Sequence, residues 1–150
     1  MPTRYNGTEA EKRALDLIIK LARAGESVAQ RTMVDVLEAD LTPTQFGVLE
    51  TLYHLGRLKP SQLAEKHLRS RNNLTVVIDK LEQRELVSRV RCPSDRRAQW
   101  VELTDKGRVL IERLLPAHVA ALVKDVSVLS PDEQVQLADL LKRLGRQIRR

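Results

Sequence analysis

The chain has 150 residues, 42% apolar and 31% charged, with only six Gly and six Pro, a composition that suits one folded domain and excludes a disordered chain. Aromatic residues are 3% of the total, so the core is expected to be aliphatic, and platforms that stack unpaired bases are not indicated. The net charge is +6, the single cysteine excludes an intrachain disulfide, and neither an apolar run of about 18 residues nor a signal-like start is present, so the expected compartment is the cytoplasm and no membrane partner is expected.

Residues 8–38 read as one long helix. Leu15, Ile18, Ile19, Ala22, Val28, Met33, Val36 and Leu37 recur mostly at steps of three and four, and no Pro interrupts them. Leu41-Thr42-Pro43-Thr44-Gln45 is a restart signal. Thr42 suits the N-cap, Pro43 the first helical position, and Gln45 closes a capping box. This helix is expected to end at Gly56 and to bury Phe46, Val48, Leu49, Leu52 and Leu55. Residues 60–66 form a short helix, and after a break at 67–70 a second runs over 71–86. In it Leu74, Val77, Ile78 and Leu81 make a buried face at i, i+3, i+4 and i+7.

Two amphipathic strands, 87–91 and 99–103, flank Cys92-Pro93-Ser94-Asp95-Arg96-Arg97, with Pro93, Ser94 and Asp95 supplying turn chemistry. Thr104 is the expected N-cap of a further helix, in which Pro116 should produce a bend or a break. Ser130-Pro131-Asp132-Glu133 starts the last helix with a cap, a first-turn Pro and two acidic residues that complement the dipole.

Charge is unevenly placed along these elements. Residues 1–56 carry six Lys/Arg against eight Asp/Glu, residues 57–113 fourteen against eight, and residues 114–150 six against four. The positive excess therefore lies on the two short helices and the hairpin, where it suits phosphate contact. A short helix bracing a second, followed by a basic hairpin, can lay one helix in the major groove and probe the groove beside it.

The residues expected at double-stranded DNA follow from that placement. They are Ser61 and Gln62 at the start of the first short helix, and Ser70, Arg71, Asn72, Asn73, Thr75 and Val76 at the start of the second. Arg89, Asp95, Arg96 and Arg97 complete the set on the hairpin. Arg and Asn hydrogen-bond guanine and adenine edges, Thr can donate to phosphate, and Val can touch a thymine methyl. Asp95 can orient Arg97 toward a narrow minor groove, whose negative potential favours arginine. The terminal helices carry more apolar face than the central module can cover. A second copy of the chain is the economical cover, and a monomer with folded-back helices is the alternative.

Leu63-Ala64-Glu65-Lys66, Leu74-Thr75-Val76-Val77-Ile78-Asp79-Lys80-Leu81-Glu82, Asp95-Arg96-Arg97 and Leu103-Thr104-Asp105-Lys106-Gly107 together resemble the MarR family of winged helix-turn-helix regulators. The resemblance spans nearly the whole chain. It implies a mainly α fold with a small β-wing and a single domain, 1–150, with a winged module at about 42–104 and dimerisation helices at about 8–38 and 105–149. It further implies a homodimeric repressor in which each subunit binds half of a palindromic operator. Residues 70–76 would read bases, and Arg97 would enter the minor groove. One departure is Val76, where many members carry Arg.

The resemblance also implies release by a small aromatic or phenolic effector, for which Met33, Val36, Phe46, Leu49 and Tyr53 are the expected lining, or oxidant sensing through a cysteine. Cys92 beside Arg91 is the candidate for the latter, since nearby cations favour thiolate. An enzyme is not expected. His54, His67 and His118 have no zinc-ligand spacing with Cys92, and no phosphate loop, nucleophile elbow or paired-carboxylate motif occurs. No metal and no cofactor are expected. A winged module used only for protein contact would differ in lacking salt-dependent binding to duplex DNA.

Overall fold

The computed structural model of the protein describes residues 5–67, 71–92 and 95–147. At Asp35, Arg71, Asn72, Cys92, Asp95, Arg96, Arg97, Ala98 and Gln147 it describes the backbone only. The elements are α1 (Glu9–Thr32), α2 (Val34–Glu38), α3 (Pro43–Leu55), α4 (Pro60–Lys66), α5 (Arg71–Gln83), β1 (Val87–Cys92), β2 (Asp95–Leu103), α6 (Asp105–Val126) and α7 (Pro131–Gln147). The fold is mainly helical with one two-stranded antiparallel sheet, as expected.

Two compact units divide the chain, Met33–His118 and Met1–Thr32 with Val119–Arg150. The first is wider than the module read from sequence at 42–104. Val36 and Leu41 join its core from one side, and Ile111 and Leu114 from the other. Around them pack Phe46, Val48, Leu49 and Leu52 of α3, Leu63 of α4, Leu74, Ile78 and Leu81 of α5, and Val87 and Val101 of the sheet. Leu55, expected inside, is 53% exposed. It precedes Gly56, whose φ of 72° turns the chain out of the helix while its N–H donates to Leu52 O at 3.0 Å.

The helix expected over 8–38 is two helices that part at Met33. Neither Gly nor Pro causes the break. Val36 is fully buried in the core of the winged unit, and Leu41 N–H donates back to Val36 O at 3.2 Å, closing α2 over a left-handed Asp40 at φ 56°. Packing of Val36 thus sets the direction of α2 independently of local propensity. Pro116 does not break α6, which is continuous from Asp105 to Val126. Leu114 and His118, buried on either side of the proline, tie that stretch to the core, and His118 meets the Phe46 ring edge-on at 4.8 Å.

The caps form as read. Thr42 Oγ1 accepts from Gln45 N–H at 3.2 Å, and Gln45 Oε1 accepts from Thr42 N–H at 2.8 Å. Ser130 and Glu133 make the same reciprocal pair at 3.3 and 2.8 Å. The Ser130 backbone N–H, and then its hydroxyl, hold the Glu133 carboxyl below its ordinary pKa. Thr104 Oγ1 accepts from Gly107 N–H at 3.0 Å and donates to Glu85 O at 2.6 Å, which ties the start of α6 to the turn before β1. Gly107 is required there, because a Cβ would stand 1.9 Å from Leu86 O.

In the other unit α1 meets the end of α6 through Arg31, whose Nε donates to both Asp125 carboxylate oxygens at 3.0 Å. Its apolar stripes stay open. Leu17 and Ile18 on α1, Val123 on α6, and Val135 and Leu140 on α7 are each more than half exposed. No single helix is long and apolar enough to cross a membrane.

Candidate nucleic-acid interface

The two faces of α5 are chemically distinct. Leu74, Ile78 and Leu81 are fully buried, and Val77 is half-buried against the same core. Asn73, Thr75 and Val76 are exposed, Val76 by 54%. The base-contact candidates of this helix therefore share the side away from the core wherever their side chains are described. The backbone of Arg71 and Asn72 forms the first turn of α5. Ser70 and the side chains of Arg71 and Asn72 lie outside the described residues.

The helix α4 braces α5 from its own buried pair, Leu63 and Ala64, leaving Ser61 and Gln62 exposed. Gln62 already has one role, since its Oε1 accepts from Lys59 N–H at 2.9 Å and closes the start of α4. A hydrogen bond of 3.2 Å between Thr51 Oγ1 and His67 Nε2 fixes the other end of α4 to α3. The C-terminal end of α5 is held by Arg84. Its guanidinium donates to Asp40 O and, at 3.1 Å, to Ala39 O, fastening α5 to the corner between α2 and α3.

The wing pairs in the register Val87↔Leu103, Arg89↔Val101 and Arg91↔Gln99, then jumps to Cys92↔Asp95. The irregularity puts the backbone of Asp95, Arg96 and Arg97 at the far end of the ribbon, at the start of β2. Their side chains, and that of Cys92, lie outside the described residues. A third strand segment sits at the other edge, where Leu58 exchanges two backbone hydrogen bonds with Val101 at 3.0 and 2.8 Å.

Arg89 is placed differently from the rest of the set. It was expected among the hairpin residues that meet DNA. Its guanidinium instead donates to Asp79 and Glu82 of α5, and its backbone N–H donates to Glu82 Oε1 at 3.2 Å. The side chain is 21% exposed. Burial alone would lower its pKa, and the two carboxylates more than reverse that, so the charge is held. Arg89 joins the wing to the recognition helix. Asp79 and Glu82, one helical turn apart, are the residues that sequence reading missed, and their spacing on α5 was the available signal.

The residues expected to line an effector cleft belong to the core or touch it. Val36, Phe46 and Leu49 have at most 1% exposure, and Met33 and Tyr53 pack against them half-buried. Two open clefts of the winged unit lie elsewhere. One of about 410 Å³ is bounded by Asp40, Gln45, Lys80 and Arg84, and one of about 290 Å³ by Glu38, Arg113 and Ala117. Among the described residues no three His, Cys, Asp or Glu side chains converge as a metal site.

Comparison with known proteins agrees with this geometry. Residues 41–98 match the family model described as the MarR family. The chain is 40% identical over 141 residues to the uncharacterized HTH-type transcriptional regulator YkoM of Bacillus subtilis (strain 168), covering 94% of this chain and 91% of that protein. It is 38% identical over 134 residues to the HTH-type transcriptional regulator MhqR of the same organism, covering 89% and 92%. Among solved structures it is similar to AbsC, a MarR family transcriptional regulator from Streptomyces coelicolor, with TM-score 0.83 and 26% identity over 98% of this chain and 99% of that one. The segregated faces of α5, the α4 brace, the two-stranded wing and these relatives lead to one conclusion: the chain belongs to the MarR family and is a DNA-binding transcriptional regulator of winged helix-turn-helix form.

Proposed function

We propose that the protein is a homodimeric repressor whose two winged modules bind the halves of a palindromic operator. The observation that carries this reading is the open apolar stripe of the terminal helices, with Leu17 at 57%, Ile18 at 53%, Val135 at 64% and Leu140 at 51% exposure. Exposed apolar residues in this number on two helices suit an interface, and a second copy offers the same residues in return. Two-fold symmetry in the protein is then matched by two-fold symmetry in the site.

Within each module, residues 70–76 read the major groove and Arg97, oriented by Asp95, enters the minor groove. The exposure of Asn73 and Thr75 on α5 and the far-end backbone position of Asp95 and Arg97 support this division. A dimer seated on both half-sites excludes other proteins from that stretch of duplex, which supports repression. Release by a small aromatic or phenolic effector belongs to the same reading, and the family resemblance is its support.

Selection of duplexes from a random pool by the purified protein tests the reading. A palindromic motif is expected, with Arg97→Ala binding the selected duplex much more weakly in a fluorescence anisotropy titration. A motif without two-fold symmetry, or unchanged affinity of the variant, contradicts it. Repeating the titration with simple phenols tests the effector.

A further inference from the structure

We propose that Arg57 and Lys59, each set against the Trp100 ring, form a phosphate-contact site on the segment that bridges to β2 at Leu58, outside the base-reading helix. The site rests on the duplex-binding activity of the module and adds to it a contact that the α5 and wing-tip residues do not supply.

The geometry is specific. Arg57 Cζ and Lys59 Nζ each lie 5.5 Å from the centre of the Trp100 ring. Both belong to the segment that Leu58 pins to Val101 through its two backbone hydrogen bonds, so they flank one fixed strand residue. Lys59 is also the residue before Pro60, the first residue of α4, and Gln62 holds its N–H. The two cations are thus placed by the same elements that place the recognition helix.

Among the described residues neither Arg57 nor Lys59 forms an ion pair with a carboxylate. Two like charges on alternate residues of one short segment repel each other, and an anion beside them relieves that repulsion. The ring face attracts both heads and covers their stems, which reduces the side-chain freedom lost when they bind. Trp100 contributes its face alone. Its Nε1–H is buried without an acceptor among the described residues, so the indole donor is not what holds it there.

Phosphate of the duplex backbone is the anion that fits. The pair lies within the stretch 57–113 that carries the positive excess, on the body that bears α4, α5 and the wing. Two cations on one short segment, without a carboxylate partner among the described residues, offer no base-edge selectivity, and backbone contacts of this kind are insensitive to sequence.

Salt titration of duplex affinity tests the proposal. Arg57→Ala and Lys59→Ala are each expected to weaken binding to the selected duplex and to a random-sequence duplex by the same factor. Each should lower the slope of log affinity against log salt by about 0.9, the value for one lost phosphate contact. Trp100→Leu keeps both charges but loses their platform, so it should weaken binding with little change in slope, and Trp100→Phe should restore it. Lys20→Ala on α1 serves as a remote cation control, and circular dichroism of each variant verifies folding.

The chain's single tryptophan is itself the probe, and its emission should change as duplex is added. Unchanged affinity and slope in Arg57→Ala and Lys59→Ala would overturn the site while wild-type binding upholds the reading beneath it. Weakening confined to the selected duplex would also overturn it, since that is base readout. Failure of the wild type to bind any duplex would remove both.

Discussion

Arg89 on the first wing strand donates to Asp79 on the recognition helix, and the same guanidinium reaches Glu82 one turn later. A charge that would repel its neighbours in an isolated hairpin becomes a link between wing and helix. Removing it leaves two carboxylates facing each other without a cation. Arg89→Ala is expected to destabilise the fold by about 1–2 kcal/mol, moderated by the partial exposure of both acids. Urea unfolding followed by circular dichroism reads this as a lower midpoint. Arg89→Lys should recover only part of the loss, because an ammonium cannot present the forked donors that span two acids.

Asn73 lies on the exposed side of α5 while Leu74 beside it is fully buried. Replacing it should leave packing intact and alter recognition. Asn73→Ala is expected to relax preference at one base pair by ~1–3 kcal/mol if the amide makes a bidentate contact. Site profiling by selection measures this, and recovery of the wild-type motif at full strength would contradict it.

The start of α6 packs on the turn after α5 too closely for any side chain at Gly107. A Cβ there would meet Leu86 O at 1.9 Å and Leu86 C at 2.9 Å, both backbone atoms that cannot swing aside. Gly107→Ala should cost about 1–3 kcal/mol through overpacking, against the usual gain of alanine in a helix. A fall in thermal midpoint is the expected reading. A rise would show that α6 can shift away from Leu86.

Glu133 gives a pH dependence with a definite sign. Its folded carboxyl lies below its ordinary pKa because Ser130 donates to the ionised form. The contribution is complete above the ordinary carboxylate range and is lost as pH falls through the lowered folded value. NMR titration of the Glu133 carboxyl should show that lowered value, and Ser130→Ala should return it only part of the way, because the backbone N–H at position 130 still donates.

Local chemistry was the legible part of the sequence. Thr42 with Gln45, Ser130 with Glu133, and Thr104 announce helix starts because the cap bonds span only three residues. The buried faces of α3 and α5 followed from periodicity for the same reason. What depended on distant partners was not legible. Val36 enters a core built from α3, α5 and α6, so the chain leaves α1 at Met33, and no residue near Met33 signals it. The Arg89 link and the gathering of Arg57 and Lys59 on Trp100 arise only once the strands are paired. Composition marked these residues as basic without distinguishing a brace from a contact.

The proposed homodimer requires two copies of the chain to act together on one site. Sedimentation velocity of a labelled selected duplex, titrated with protein, measures this. The expected result is two chains per duplex, with Leu140→Glu shifting the free protein to monomer and weakening binding while the winged unit stays folded. One chain per duplex at full affinity, with Leu140→Glu indistinguishable from wild type, would contradict it.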